Sequence, residues 1–189
     1  MQTINGRACV VNGKPVDKVF SNGKQVYGRN LLTGTGQEYT MGFGIPTTVW
    51  QDGYAYLKLP ANTTGIEILP QDPHTFFYTM TKGTTYTQTI WFETDANLIN
   101  SSGTEISWWT SVGHDWQSAT LINFGENKYK LYSTYTWPDK SINNVRLLDI
   151  YYLNSAFDLS TGTYLKFGKL KLEEGSISTP WTPAPEDVM

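Results

Sequence analysis

At 189 residues, the chain suits one domain, or one domain with a small appendage, and is long enough to bury a core without covalent staples. Charged residues are only 16% of it and aromatics 14%, with seven Trp and twelve Tyr, and the net charge is −3. Such a polar, weakly charged, aromatic-rich composition suits neutral partners such as glycans and does not suit polyanions. Nucleic-acid binding would need a basic stripe to neutralise phosphates, and the densest cationic stretch, Lys166, Lys169 and Lys171, is broken by apolar residues. Cys9, the single cysteine, excludes an intramolecular disulfide and a Cys-based metal site. The start, MQTINGRACV, has no basic residues leading into an apolar run, so it is not read as a signal peptide. No stretch approaches 18 apolar residues, so no membrane-spanning helix is expected.

Residues 1–29 read as a unit of their own. Asn12-Gly13 and Asn22-Gly23 are each flanked by apolar-rich segments, Ala8 to Val11, Val16 to Phe20, and Val26 to Tyr27. Asn-Gly accepts the positive φ that type I′ hairpin turns demand at both central positions, which predicts a three-stranded meander. Such a meander is marginal alone and should pack on the main domain or on a partner. Gly28 to Gln37 is a glycine-punctuated connector, and the main domain runs over 30–181.

Strand signals then recur at short intervals: Tyr54–Leu59, Ile66–Leu69, Thr75–Met80, Thr84–Thr94, Glu105–Thr110, Ala119–Phe124, Lys128–Trp137, Asn143–Leu153 and Thr163–Leu172. Each is rich in β-branched or aromatic residues, with Gly, Pro, Asn, Asp and Ser clusters between. No amphipathic helix is predicted, beyond one turn within Asp95–Ser102. The pattern predicts an all-β fold, an antiparallel two-sheet β-sandwich of jelly-roll type. The Pro-spaced run from Thr179 to Pro185 is extended, a strap or a linker, with 182–189 as a C-terminal tail. Trp181, between two prolines, is assigned to packing, and Phe76, Phe77, Leu147, Leu148, Ile150 and Leu153 to the core.

Two places combine aromatic and polar residues in the way a sugar needs, an apolar face beside convergent hydrogen-bonding groups. The first is Ser107 to Trp116, SWWTSVGHDW. Alternation sets Ile106 and Trp108 on one face, and Ser107 and Trp109 on the other. Gly113, His114 and Asp115 read as a turn beside Trp116. Trp109 and Trp116 would supply the platform, and His114 and Asp115 the contacts to hydroxyls. The opposing reading makes all these Trp packing, since aromatics dominate cores. The second place is Trp91. Tyr86, Gln88, Ile90 and Phe92 form the more apolar set of their strand and face the core, so Trp91 and Glu93 project outward. The opposing reading is a Trp covered by a loop. Trp50, Tyr54 and Tyr56, in or near the Asp52-Gly53 turn, are read as loop packing, with a rim of the site as the alternative.

Enzyme readings find little. The two histidines are His74 and His114, and no G-x-S-x-G elbow accompanies them. Cys9 is far in sequence from both, and no Cys or His pair has metal-ligand spacing. There is no phosphate-binding glycine motif. A glycosidase needs only two carboxylates at a suitable separation, but the acidic residues are scattered.

Four stretches carry a resemblance: INGRACVVNGKPVDKVFSNGKQVYGRNLL, TKGTTYTQTIWFET at 81–94, Lys128–Thr136 with Asn144–Tyr152, and YLKFGKLKLEEGSISTPWTPAPED at 164–187. Together they resemble the jelly-roll carbohydrate-binding modules of tail, baseplate and receptor-binding proteins of phages infecting lactic acid bacteria. The terminal KLEEGS…TPWTPAPED is the most specific. The resemblance implies a non-catalytic sandwich in the virion that binds host cell-wall polysaccharide, beside other tail or baseplate proteins or further copies of itself, with no nucleic-acid or membrane partner. It leaves open a purely structural tail component and, as a third reading, a glycoside hydrolase. It implies no cofactor beyond a structural calcium, for which Glu38 and Glu173 are the positions to examine. The Asp that often precedes the last strand of such modules is absent here, with Gly168 and Lys169 in its place.

Overall fold

The computed structural model describes residues 9–33, 39–41, 49–51, 54–70, 80–110, 113–138 and 149–188. At the N-terminal end, both Asn-Gly pairs make the tight turns expected of them. Asn12 and Gly13 have φ of 52° and 73°, and Asn22 and Gly23 have 50° and 74°. They close two hairpins, β1 (Val10–Val11) with β2 (Lys14–Pro15), and β3 (Lys18–Ser21) with β4 (Lys24–Gly28). Among the described residues these are separate two-stranded ribbons, not a continuous three-stranded sheet. Pro15, which has no N–H to offer a further strand, stands where the meander would have continued.

The body is two antiparallel sheets. One contains, in spatial order, β11 (Gly113–Ser118), β10 (Glu105–Thr110), β14 (Asp149–Tyr151), β8 (Gly65–Pro70) and β5 (Tyr39–Met41). The other contains β12 (Thr120–Gly125), β13 (Lys128–Thr136), β9 (Thr85–Thr94), β15 (Thr163–Glu174), β7 (Tyr54–Leu59) and β6 (Val49–Gln51). The all-β, two-sheet sandwich expected from the strand spacing is therefore present. The helical content among the described residues is one turn, α1 (Leu153–Ala156), and a 3-10 turn at Pro185–Asp187. Asp95–Ser102 is not helical; Leu98 makes an isolated bridge to Phe157 instead.

The sheets pack through the alternating sets. Tyr86, Ile90 and Phe92 of β9, Leu131 of β13 and Leu170 and Leu172 of β15 meet Ile106 and Trp108 of β10, Ile66 of β8 and Ile150 of β14. Two of the polar side chains trapped between them reach across the gap for a partner. The Trp108 indole N–H donates to Ser133 Oγ at 2.8 Å, and the Gln88 amide donates to the Ser107 carbonyl at 3.3 Å. Ile150 and Leu153 are core as expected. Phe76, Phe77, Leu147, Leu148 and His74 lie outside the described residues, as does the expected strand Thr75–Met80 except for Met80, which is buried but not in a strand.

The C-terminal segment crosses the outer face of the six-stranded sheet as a strap. Thr87 Oγ1 donates to the Gly175 carbonyl at 2.7 Å, and Thr89 shares a 2.9 Å bond with Ser178. Trp181 donates its indole N–H to the Leu170 carbonyl at 3.1 Å, consistent with packing. Under the strap lies a fully buried ion pair, Lys171 with Glu173 at 3.6 Å. Asn30 closes the same corner and uses its whole side-chain amide. Its Nδ2 donates to the carbonyls of Leu170 and Thr182, and its Oδ1 accepts from the N–H of Leu32 and of Leu172.

The last strand of the N-terminal ribbons is woven into this corner. Tyr27 is 1% exposed, and the Gly28 N–H donates to Thr179 Oγ1 at 3.0 Å. A Cβ at Gly28 would run into Glu173 Oε2. Gly28→Ala should therefore cost about 1–3 kcal/mol, the range of overpacking in a close-packed site. Urea unfolding would measure it; an unchanged midpoint would mean that Glu173 can move aside freely.

Candidate functional site

Strand β11 is the main local departure from the sequence reading. Gly113, His114 and Asp115 do not form a turn. They open a strand that runs the length of β10, with Glu105 opposite Ser118, Ser107 opposite Trp116 and Trp109 opposite His114. The segment GHDWQS lacks β-branched residues, so propensity hides it, although its polar and aromatic residues alternate. Residues directly opposite share a face, so His114 and Trp116 stand on the outer side with Ser107. Ser107 Oγ and His114 Nδ1 share a 2.6 Å hydrogen bond, and the His114 ring stacks on Trp116 at 5.1 Å between centroids, 12° apart in plane. Trp108 is core, as alternation requires. The side chain of Trp109 lies outside what is described.

Asp115 is on the other side. Its Oδ2 accepts from the Tyr135 hydroxyl and its Oδ1 from the Gln117 amide at 2.9 Å. Burial, and after it the Asp115 carboxylate, push the Tyr135 phenol up to about 12. Asp115 thus faces the edge of the sandwich interior and is separated from the platform it was expected to serve. Its signal in the sequence was parity: it differs by one position from both His114 and Trp116.

Trp91 and Glu93 are where alternation sets them, half-buried on the outer face of β9. The strap covers Thr87 and Thr89 of the same face and stops short of Trp91. What remains open is a pocket of about 210 Å³ lined by Tyr54, Trp91, Glu93, Phe124, Lys128, Lys166 and Lys169, with backing from Phe92 and Tyr129. Tyr54, on β7, is therefore part of the rim and not loop packing; Tyr56 lies on the same strand with its ring 5.8 Å from Lys166 Nζ, and Trp50 lies on β6, its side chain outside what is described. Lys166 Nζ is 3.2 Å from Glu93 Oε1 and lies over the Tyr54 ring at 4.5 Å. Burial draws the Lys166 ammonium down, but the Glu93 hydrogen bond and charge outweigh it and hold it above its usual value. Lys169 Nζ lies 5.7 Å from the Tyr54 centroid and 5.8 Å from that of Trp181.

The pocket's cationic side was missed by the sequence reading. A strand with residues 166 and 169 on one face breaks the two-residue period. The structure achieves it with a bulge between Phe167 and Lys169, where the ladder to β9 shifts so that Lys166 pairs with Glu93 and Lys169 with Trp91. Gly168 inside a strand pattern was the available signal, since an interior strand glycine often marks a bulge.

The two aromatic places lie on the outer faces of opposite sheets, Trp91 and Glu93 on one and His114 and Trp116 on the other, so they are not one site. The calcium positions fare differently. Glu38 lies outside the described residues. Glu173 is fully buried, with Oε1 taken by the Thr179 N–H at 2.9 Å, Oε2 by the Thr179 hydroxyl at 2.6 Å, and the Lys171 ammonium at 3.6 Å. The cation beside this carboxylate is a lysine, and the residues there do not fit a calcium. Among the described residues no cluster of three or more His, Cys, Asp or Glu is placed to hold a metal.

No family model and no curated protein matches this sequence. Solved structures do match in fold. The tripod (BppUct-A-L) from the baseplate of bacteriophage Tuc2009 matches over 87% of this chain at 18% identity, with a TM-score of 0.52. The chain spans 62% of that chain's length. A CBM4 structure matches over 75% of this chain and 90% of its own, at 19% identity and TM-score 0.42. The CBM22-1–GH10 modules of Clostridium thermocellum xylanase 10B, complexed with xylohexaose, match over 82% and 29%, at 12% identity and TM-score 0.43. At such identities the likeness is one of fold, and the fold this chain shares with the baseplate protein is its β-sandwich.

Proposed function

We propose that the protein is a non-catalytic carbohydrate-binding module, an adhesion element of a phage tail or baseplate that takes the host's cell-wall polysaccharide. The observation that carries this is the Trp91 pocket. A half-exposed indole forms one wall of a shallow hollow, and Glu93 and the lysines supply acceptor and donors around it. This is the pairing of apolar face and converging polar groups that fixes a sugar ring. The outer shelf of His114 and Trp116 is a second platform on the opposite sheet. The sandwich shared with a phage baseplate protein supports the virion setting. The exposed Val10, Val11 and Phe20 of the N-terminal hairpins make residues 1–29 the candidate attachment element toward other tail proteins or sister copies.

Hydrolysis finds no support at this pocket. A glycosidase places two carboxylates across the scissile bond, whereas Glu93 is the only carboxylate among the described lining residues and is paired with Lys166. A shallow site of this size should bind weakly, in the micromolar to millimolar range. Several copies on one particle would raise avidity by about 10²–10⁴ without new contacts. Fluorescently labelled protein should decorate host cells, spare non-host cells and release no reducing ends on prolonged incubation. Reducing ends accumulating with time would overturn the non-enzymatic reading, and equal decoration of all cells the adhesion reading.

A further inference from the structure

Resting on the carbohydrate-binding reading, we propose that the Trp91 pocket selects an acidic saccharide, one bearing a phosphate or carboxylate beside the ring that lies on Trp91. The chain as a whole carries a net charge of −3, yet this pocket runs the other way. Lys128, Lys166 and Lys169 line it against one carboxylate, Glu93. Lys130 stands opposite Trp91 in the β13 ladder.

The arrangement is built rather than incidental. Without the bulge at Gly168, strict alternation would turn Lys169 toward the core when Lys166 faces out. The shift lets both project on the side of Trp91, Lys166 opposite Glu93 and Lys169 opposite Trp91. Bulges characteristically re-aim a side chain beside a functional site. The ammonium groups are also held in place. Both lie over the face of Tyr54, at 4.5 and 5.7 Å, and Lys169 is flanked by Trp181 as well. Side chains ordered before the ligand arrives lose less freedom on binding.

The charges divide the work. Glu93 neutralises Lys166, and Lys128 is tied to Glu126 at 2.9 Å. The Lys169 ammonium rests on aromatic faces alone among its described contacts, so it is the cation on which an anionic group gains most. A neutral sugar would use the indole face and Glu93 and leave that charge unanswered.

The test is an array of bacterial surface glycans holding neutral, uronate-bearing and phosphate-bearing members, probed with the whole protein at low and at physiological salt. Acidic glycans should dominate the bound set, and their signal should fall as salt screens the exposed charges. Lys169→Gln should weaken the best acidic binder about tenfold, the worth of one hydrogen bond to a charged group. Lys82→Gln, which removes the same charge at an exposed position outside the pocket, should leave it unchanged. The uronate and phosphate arms tell the two anions apart. A bound set of neutral glycans overturns this inference and leaves the carbohydrate-binding reading standing. Binding of inorganic polyphosphate as tight as that of any glycan would reduce the pocket to a bare anion site. No glycan bound at all removes both the inference and the reading beneath it. Lys169→Gln without effect on an acidic binder would also overturn the assignment.

Discussion

Trp91→Ala should weaken glycan binding by a factor of about 30 while leaving the unfolding temperature nearly where it is. The factor follows from the cost of truncating a central aromatic contact, about 2 kcal/mol or more, at 1.4 kcal/mol per tenfold. The small effect on stability follows from position. Trp91 is half-buried on an outer face, and its strand is held from behind by Tyr86, Ile90 and Phe92 in the core. Trp108→Ala provides the contrast. That side chain is 1% exposed and donates its N–H to Ser133, so its loss should cost about 3–5 kcal/mol of stability. Calorimetry and binding on both variants separate a ligand platform from a core aromatic. If Trp91→Ala lowers stability as Trp108→Ala does, Trp91 is packing and the pocket is a defect in it. Trp116→Ala, on the opposite sheet, then tells whether the second shelf adds to binding or only decorates it.

Much of this could be read from residue order. The hairpin turns at Asn12-Gly13 and Asn22-Gly23 follow from which residues tolerate positive φ. The inward set of β9 and the outward placement of Trp91 and Glu93 follow from a period of two. What escaped had two physical causes. Propensity failed at β11, where pairing along the whole edge of β10 stabilises a segment of poor strand formers. That pairing is to the strand just before it in the chain, a hairpin that residue propensities alone do not reveal. Asp115 was misplaced by the turn assignment, since alternation in a strand puts it on the face opposite His114 and Trp116, whereas at Lys169 parity itself failed, because a bulge shifts the count by one. The lysines were dismissed because apolar residues separate them in sequence. In the sheet the register shift at Gly168 brings Lys166 and Lys169 to one face, opposite Glu93 and Trp91. The covering of Thr87 and Thr89 by the strap was invisible for a different reason: only tertiary contact tells which half of an outer face stays open.

Lys171→Met should cost about 3–5 kcal/mol of unfolding free energy, the largest loss expected from a single change under the strap. Lys171 and Glu173 are both fully buried, and the ammonium donates to Thr179 Oγ1 at 2.6 Å and to the Pro180 carbonyl at 2.8 Å. Removing one partner of a buried pair leaves the other as an uncompensated charge, which is what makes such changes severe. Lys171→Met/Glu173→Gln should recover more than half of the loss. The second change removes the stranded charge and keeps an oxygen for the Thr179 N–H, so the difference between the two variants measures the lone carboxylate. The wild-type pH dependence has a definite sign. Burial pulls the Lys171 ammonium down to about 8, only partly offset by Glu173, against an ordinary value of about 10.4. Below pH 8 both states hold the proton and the burial penalty is fully present. Between about 8 and 10.4 the folded protein has released a proton that the unfolded chain still binds, so this group makes stability rise with pH across that window. Lys171→Met should lose that rise. Urea unfolding of the three proteins from pH 5 to pH 10 reads all of this. A Lys171→Met protein with wild-type stability at pH 7 would show that water reaches the pair and that the strap does not seal it.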